Sequence, residues 1–266
     1  MKTQSSSLRG ARRTLRHAAT VAALLVAGAA SASAGDWKWT VTPYLWATDV
    51  GVDVAIDDRQ VVDETIAFED LVESVEAAAQ LRIEAQRGAH GVMLDIFDVR
   101  LAEDPATLTL PSGAGEATIS AEIGMSIVEA AGIYDPHGDQ QGFALLYGAR
   151  LLDQRAEIDA RFDLTSGSTV SREFEPRDTL VDGMVGVRYT RRFAQRWSHE
   201  SRIDVSAGGT ELTWSAGSSL AYAFGKTGRY AVSAGYRRMV VDFKDDDATE
   251  VDMTLSGFVT GLRVAF

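Results

Sequence analysis

The sequence predicts an all-β fold: a single transmembrane antiparallel up-and-down β-barrel of about ten strands (eight to twelve) with long acidic outer loops. Three observations predict it. The chain opens with an export pattern, it alternates apolar and polar residues over long runs, and its turns are short at one end of the strands and long at the other. Of 266 residues, 45% are hydrophobic and 24% charged, too apolar a mixture for disorder. Cysteine is absent, which excludes a disulfide framework, a thiolate zinc site and a cysteine nucleophile. The net charge is −12, and the basic Lys2, Arg9, Arg12, Arg13 and Arg16 all sit in the export segment. The rest of the chain is more acidic still, which disfavours nucleic acid as a partner.

Residues 1–34 read as a secretory signal peptide, leaving 35–266 as one barrel domain. A weakly apolar run at 18–30 follows the basic segment, and Ala32-Ser33-Ala34 offers a cleavage site before Gly35. The run is too short and too rich in alanine for an anchoring helix of about 20 strongly apolar residues.

Strand 37–48 comes first. The acidic insert 49–73 follows, in which a hairpin at Asp57-Asp58 and a helical turn over 68–72 are expected. In strand 74–87, Val75, Ala77, Ala79, Leu81, Ile83 and Ala85 alternate with Glu76, Gln80, Arg82, Glu84 and Gln86. Arg87-Gly88-Ala89 turns into strand 91–102, and loop 103–115 leads to strand 116–134. The turn Asp135-Pro136-His137-Gly138 starts strand 142–158. Loop 160–178 precedes strand 179–193, and Ala194-Gln195-Arg196 turns into strand 197–207. Gly208-Gly209 joins that to strand 211–225. There Trp214, Tyr222 and Phe224 lie on a lipid-facing side, spaced to span a band of about 25 Å. Gly225-Lys226-Thr227-Gly228 leads to strand 229–243, an acidic loop at Lys244-Asp245-Asp246-Asp247 follows, and strand 249–266 closes the set. Alternation slips at Ile127/Val128, near Gly257 and around Pro43, where bulges are expected. A water-soluble sandwich also alternates, but several runs reach twelve residues or more, against about 5–6 in globular strands.

Several short segments resemble a family of poorly characterised, porin-like Gram-negative outer-membrane β-barrel proteins. They are Thr42-Pro43-Tyr44-Leu45-Trp46, Phe68-Glu69-Asp70-Leu71, Gly186-Val187-Arg188-Tyr189, Arg196-Trp197, Leu212-Thr213-Trp214 and Gly235-Tyr236-Arg237. The resemblance implies a barrel and an outer-membrane address, and no particular activity. Gly261, Val264 and the terminal Phe266 resemble the signal read by the barrel-assembly machinery. That machinery is thus an expected partner during biogenesis, beside outer-membrane lipids and lipopolysaccharide.

Little in the chain points to catalysis. Beyond the export segment the histidines are His90, His137 and His199, all expected in or near short turns and away from a Ser–His or Asp–His mechanism. No enzyme activity, cofactor or metal is expected. Asp245-Asp246-Asp247, Glu250 and Asp252 could offer oxygen ligands to a divalent cation, but read as a solvated acidic loop. The unusual feature is an inward set of charges: Glu76, Arg82, Glu84, Glu129, Arg150, Arg188, Glu200, Arg202, Asp204 and Arg263. Charges in a narrow lumen must be paired or hydrated, and ten strands lie near the filled end of the barrel series. The favoured function is a structural or surface-interaction barrel with a plugged lumen. The alternative is a narrow porin-like channel for ions or small solutes, and an outer-membrane enzyme comes last.

Overall fold

The computed structural model describes residues 37–56, 59–102, 106–109, 115–164, 169–174, 177–243 and 249–266. The expected signal peptide, the centre of the acidic loop at 244–248 and the Asp57-Asp58 turn lie outside the described residues. The elements are β1 (Lys38–Ile56), β2 (Arg59–Ile66), α1 (Phe68–Ser74), β3 (Val75–Arg87), β4 (His90–Ala102), β5 (Ala106–Thr109) and β6 (Gly115–Tyr134). They continue as β7 (Gly142–Leu164), β8 (Thr169–Phe174), β9 (Arg177–Phe193), β10 (Trp197–Gly208), β11 (Leu212–Phe224), β12 (Tyr230–Phe243) and β13 (Thr249–Ala265).

Ten of these strands form a closed antiparallel barrel. Each pairs with its neighbours in order, and β1 closes the circuit by pairing with β3 on one edge and β13 on the other. Following directly paired residues once round, from Thr40 through Glu84, Met93, Ala131, Gly148, Met184, Ser206, Thr213, Val241 and Met253, returns to β1 at Val52. That is twelve residues beyond Thr40. With ten strands spaced about 4.8 Å apart and a rise of about 3.3 Å per residue, this stagger tilts the strands about 40°.

The barrel strands begin and end within two residues of expectation except at two long-loop ends. β1 runs on to Ile56 and β7 to Leu164, and both continue as hairpins above the barrel, with β2 on β1 and β8 on β7. β5 pairs with β6 in the same way. The hairpin and helical turn expected in the acidic insert are present as the β1–β2 pairing and α1. β5 and β8 fall in stretches expected to be loops. Segments such as Thr169-Val170-Ser171-Arg172 are polar on one face and carry only isolated apolar residues on the other, so they give little periodic signal.

The expected bulges are a correction. The ladders run with constant register through Ile127 and Val128, past Gly257 and on both sides of Pro43. Register shifts occur instead at Val54/Ala55 and Val75/Ala77. Alternation slips at Ile127/Val128 because both faces are apolar at that height: Ile127 is buried in the lumen while Val128 points outward.

Outward-facing apolar residues form a belt round the barrel. Leu94, Tyr147, Val185, Val187, Ile203, Val205, Tyr236 and Phe258 are all exposed on it. Near the short turns the belt ends in paired rings, Phe143 with Tyr189, Trp197 with Tyr222 and Phe224 with Tyr230, their centroids 4.9, 5.1 and 5.8 Å apart. Trp214 sits near the other edge, with the Arg238 guanidinium 5.9 Å from its ring. The three aromatics expected on the lipid-facing side thus lie on the barrel's outward face.

The short turns are tightly built. Gly88 and Gly138 adopt φ of 56° and 68°, the left-handed region that a side chain disfavours. Beside Gly138, the Asp135 carboxylate accepts from the amides of Gln140 (2.7 Å) and His137 (3.1 Å) and from Gln86 Nε2 (3.1 Å). Burial opposes ionisation of Asp135, but these donors outweigh it and hold the carboxyl below its ordinary value.

Candidate functional site in the barrel lumen

Alternate residues of every barrel strand point inward, and the inward set is stacked in layers. The central layer is ionic. Glu129 on β6 receives three arginines: Arg150 from β7 (Nη2 to Oε1 2.8 Å), Arg202 from β10 (2.7 Å) and Arg237 from β12 (3.0 Å). Arg150 also donates to Asp204, and its Nη1 reaches Ser206 Oγ at 2.9 Å. Arg202 Nε lies 2.8 Å from Asp204 Oδ2, but neither atom has a hydrogen-bond partner; the pair is a charge contact without alignment. Arg150 is 0%, Glu129 1% and Asp204 2% exposed.

Beside this cluster the charges continue across the lumen. Arg82 donates from Nη2 to Asp95 Oδ2 at 2.8 Å and lies 3.4 Å from Glu200, while Tyr44 donates to Asp95 at 2.8 Å. Arg188 bonds both oxygens of Glu84, at 2.8 and 2.9 Å. Asp182 accepts from Ser206 (3.0 Å) and from Thr210 Oγ1 (2.6 Å). Charge assistance strengthens such bonds, and the low dielectric between the strands makes an unmatched charge correspondingly costly.

One inward step toward the long loops, the lumen becomes apolar. Phe97 follows Asp95, Ile127 precedes Glu129, Leu152 follows Arg150, and Met239 follows Arg237. With Trp46, Val241, Met253 and Leu255 they form one buried cluster. Trp46 joins the layers: its ring meets Phe97 edge-on at 5.4 Å and the Arg237 guanidinium at 4.8 Å. One step toward the short turns on the β4–β9 side, Met93, Ala131, Ile133, Ala144, Leu146 and Met184 form a second cluster. On the opposite side the lumen instead widens into a polar vestibule of ≈ 1100 Å³, counting space open to solvent.

No family model matches this sequence, and no curated protein does. Solved structures that it resembles include the outer-membrane protease OmpT of Escherichia coli (9% identity over 87% of this chain and 97% of that one, TM-score 0.48). Others are Ail, the attachment invasion locus protein of Yersinia pestis (12%, 86% and 98%, TM-score 0.30), and the toluene transporter TodX of Pseudomonas putida (9%, 88% and 90%, TM-score 0.31). At these similarities no activity carries over, and the fold stands on the closed ladder itself.

The structure brings most of the expected inward charges together. Arg82, Glu84, Glu129, Arg150, Arg188, Glu200, Arg202 and Asp204 all take part in lumen ion pairs. Arg263 lines the vestibule instead, and Glu76 sits at the register shift in β3, its side chain outside the described residues. Three members were missed: Asp95, Asp182 and Arg237. Asp95 was legible in principle, because the tight turn after Arg87 fixes its pairing with Arg82. Arg237 stands next to Arg238, and only the register of β11 and β12 tells which one points inward. Gly261 lies on the inward face of β13; Val264 pairs with Val41 and Tyr230, and the Phe266 amide donates to Trp39 O at 2.9 Å.

His90 packs on Tyr134 at 5.4 Å, and His137 lies in its turn. His199 is on the outward face of β10, 2.9 Å from Ser218 Oγ and 3.1 Å from Ser201 Oγ. Among the described residues no carboxylate hydrogen-bonds its ring. Nor is any group of three or more His, Asp or Glu side chains there arranged to hold a metal ion.

Proposed function

We propose that this chain is an outer-membrane barrel with a closed lumen, exported through a cleaved signal peptide, which acts through its surface. The belt takes the membrane lipids, and the long-loop end faces lipopolysaccharide and external partners. The observation that supports this reading is the stacking of two layers of buried side chains in the lumen. Arg150, fully buried among Glu129, Asp204 and Ser206, lies directly beneath the cluster of Trp46, Phe97, Ile127 and Leu152. An ion crossing the barrel would have to break matched ion pairs and then pass an apolar layer. Catalysis has no comparable support, since among the described residues no carboxylate hydrogen-bonds His199 to orient it.

Liposomes loaded with the protein test the reading: they should swell in iso-osmotic arabinose no faster than empty ones. Rapid swelling would favour a narrow channel, the second reading, which the polar vestibule supports because it already opens the lumen near the short turns.

A further inference from the structure

The vestibule is more basic than the ion-pair layer above it, in a protein that is otherwise acidic. It is lined by Arg82, Arg188, Arg192, Arg237 and Arg263 but only by Glu84 and Glu200 among acids. Arg82 is matched by Asp95 and Glu200, Arg188 by Glu84, and Arg237 by Glu129. Two guanidinium groups are left over. Among the described residues Arg263 has no acid within ion-pair reach, and Arg192 meets only the side-chain oxygen of Gln140, at 3.4 Å.

These two arginines stand on β13 and β9, on well-separated walls of a half-enclosed space. Ser198, Ser219 and Ser233 add hydroxyls to the same lining. Low-dielectric walls of one charge sign focus field and concentrate counter-ions, and guanidinium matches carboxylate and phosphate oxygens in a bidentate fork. We propose that the vestibule is a binding site for a small, polar solute carrying at least two anionic groups, phosphate or carboxylate, held between Arg192 and Arg263 and entering from the short-turn end. The site does not depend on whether the lumen is closed, so failure of one reading leaves the other standing.

Calorimetric titration of the purified protein in a non-ionic detergent, with inorganic pyrophosphate as the probe, tests it. The expected result is saturable binding at one site that weakens with added salt. The pair Arg192→Ser with Arg263→Ser should weaken it by about tenfold or more with thermal stability unchanged, because neither arginine has an ionic partner to lose. Ser219→Asp, which keeps both arginines but adds a carboxylate to the same wall, should abolish it. Arg100→Ser, exposed on the outward face, should leave it unchanged. A citrate arm separates sources: equal binding identifies a general oligoanion site, and preference for pyrophosphate a phosphate site. Absence of saturable binding overturns the proposal. So does binding unaffected by the double substitution, or an equal loss with Arg100→Ser.

Discussion

Glu129 is the residue on which the central layer depends, because Arg150, Arg202 and Arg237 all converge on its two oxygens. Removing its charge leaves three guanidinium groups facing one another in a confined space. Glu129→Gln should therefore lower unfolding stability by about 3–5 kcal/mol, the usual effect of breaking a buried ion pair, read from urea unfolding in detergent or lipid. Arg202→Ala should cost less, since Glu129 keeps two partners. Gly186 shows how closely the layer is built. A Cβ there would lie 2.5 Å from Asp204 Cβ and 2.8 Å from Ile203 O, so Gly186→Ala should push Asp204 off Arg150 and destabilise the barrel without changing any charge. Most of the charges were legible in the sequence from alternation alone, though Asp95, Asp182 and Arg237 were not singled out. The pairing was not legible, because an ion pair across the lumen joins strands far apart in sequence, as Arg82 and Glu200 do.

At the level of elements, the seam β12–β13–β1–β2 carries a row of acids. Asp242 pairs with Asp252, Asp252 with Asp53, and Asp53 with Asp63. Directly opposed like charges destabilise a sheet. Burial, then the neighbouring Asp252 and Glu211, raise the Asp242 carboxyl above its ordinary value. A raised folded pKa contributes stability that is fully present below the unfolded value and is lost as pH rises through the folded one. The seam should thus tighten on acidification from neutrality toward about pH 4. Asp242→Asn should raise the melting temperature at pH 7 and change it little at pH 4. Asp135 has the opposite sign: its lowered pKa gives stability above the ordinary carboxylate range that is lost as pH falls further. Comparing Asp242→Asn and Asp135→Asn with the wild type over pH separates these contributions. Nothing in the alternation of β12 or β13 announces the row, which exists only once β1 closes on β13. The barrel strands were legible because their lipid-facing sides are evenly apolar. The slips at Ile127 and Gly257 were misread as bulges because an apolar lumen layer imitates a broken period.

At the scale of the whole molecule, a stagger of twelve residues over ten strands gives a barrel narrow enough for side chains from opposite walls to meet, as Arg188 and Glu84 do. Its orientation is open to a direct check, because the chain lacks native cysteine. On intact cells, a membrane-impermeant thiol reagent should label Glu64→Cys in the outer hairpin and spare Asp139→Cys in the short turn; the reverse would invert the barrel. The belt predicts that Ile203→Arg, at an exposed outward position, costs about 2–4 kcal/mol in a bilayer and much less in detergent. The claim that joins these scales is that the ionic and apolar layers close the lumen. Steady conductance of the purified wild-type protein in a planar bilayer measures it most directly. The layered lumen predicts current at the bare-membrane level across the voltage range, rising only when Glu129 or Trp46 is replaced by a small residue. A stable, voltage-independent wild-type channel would contradict it.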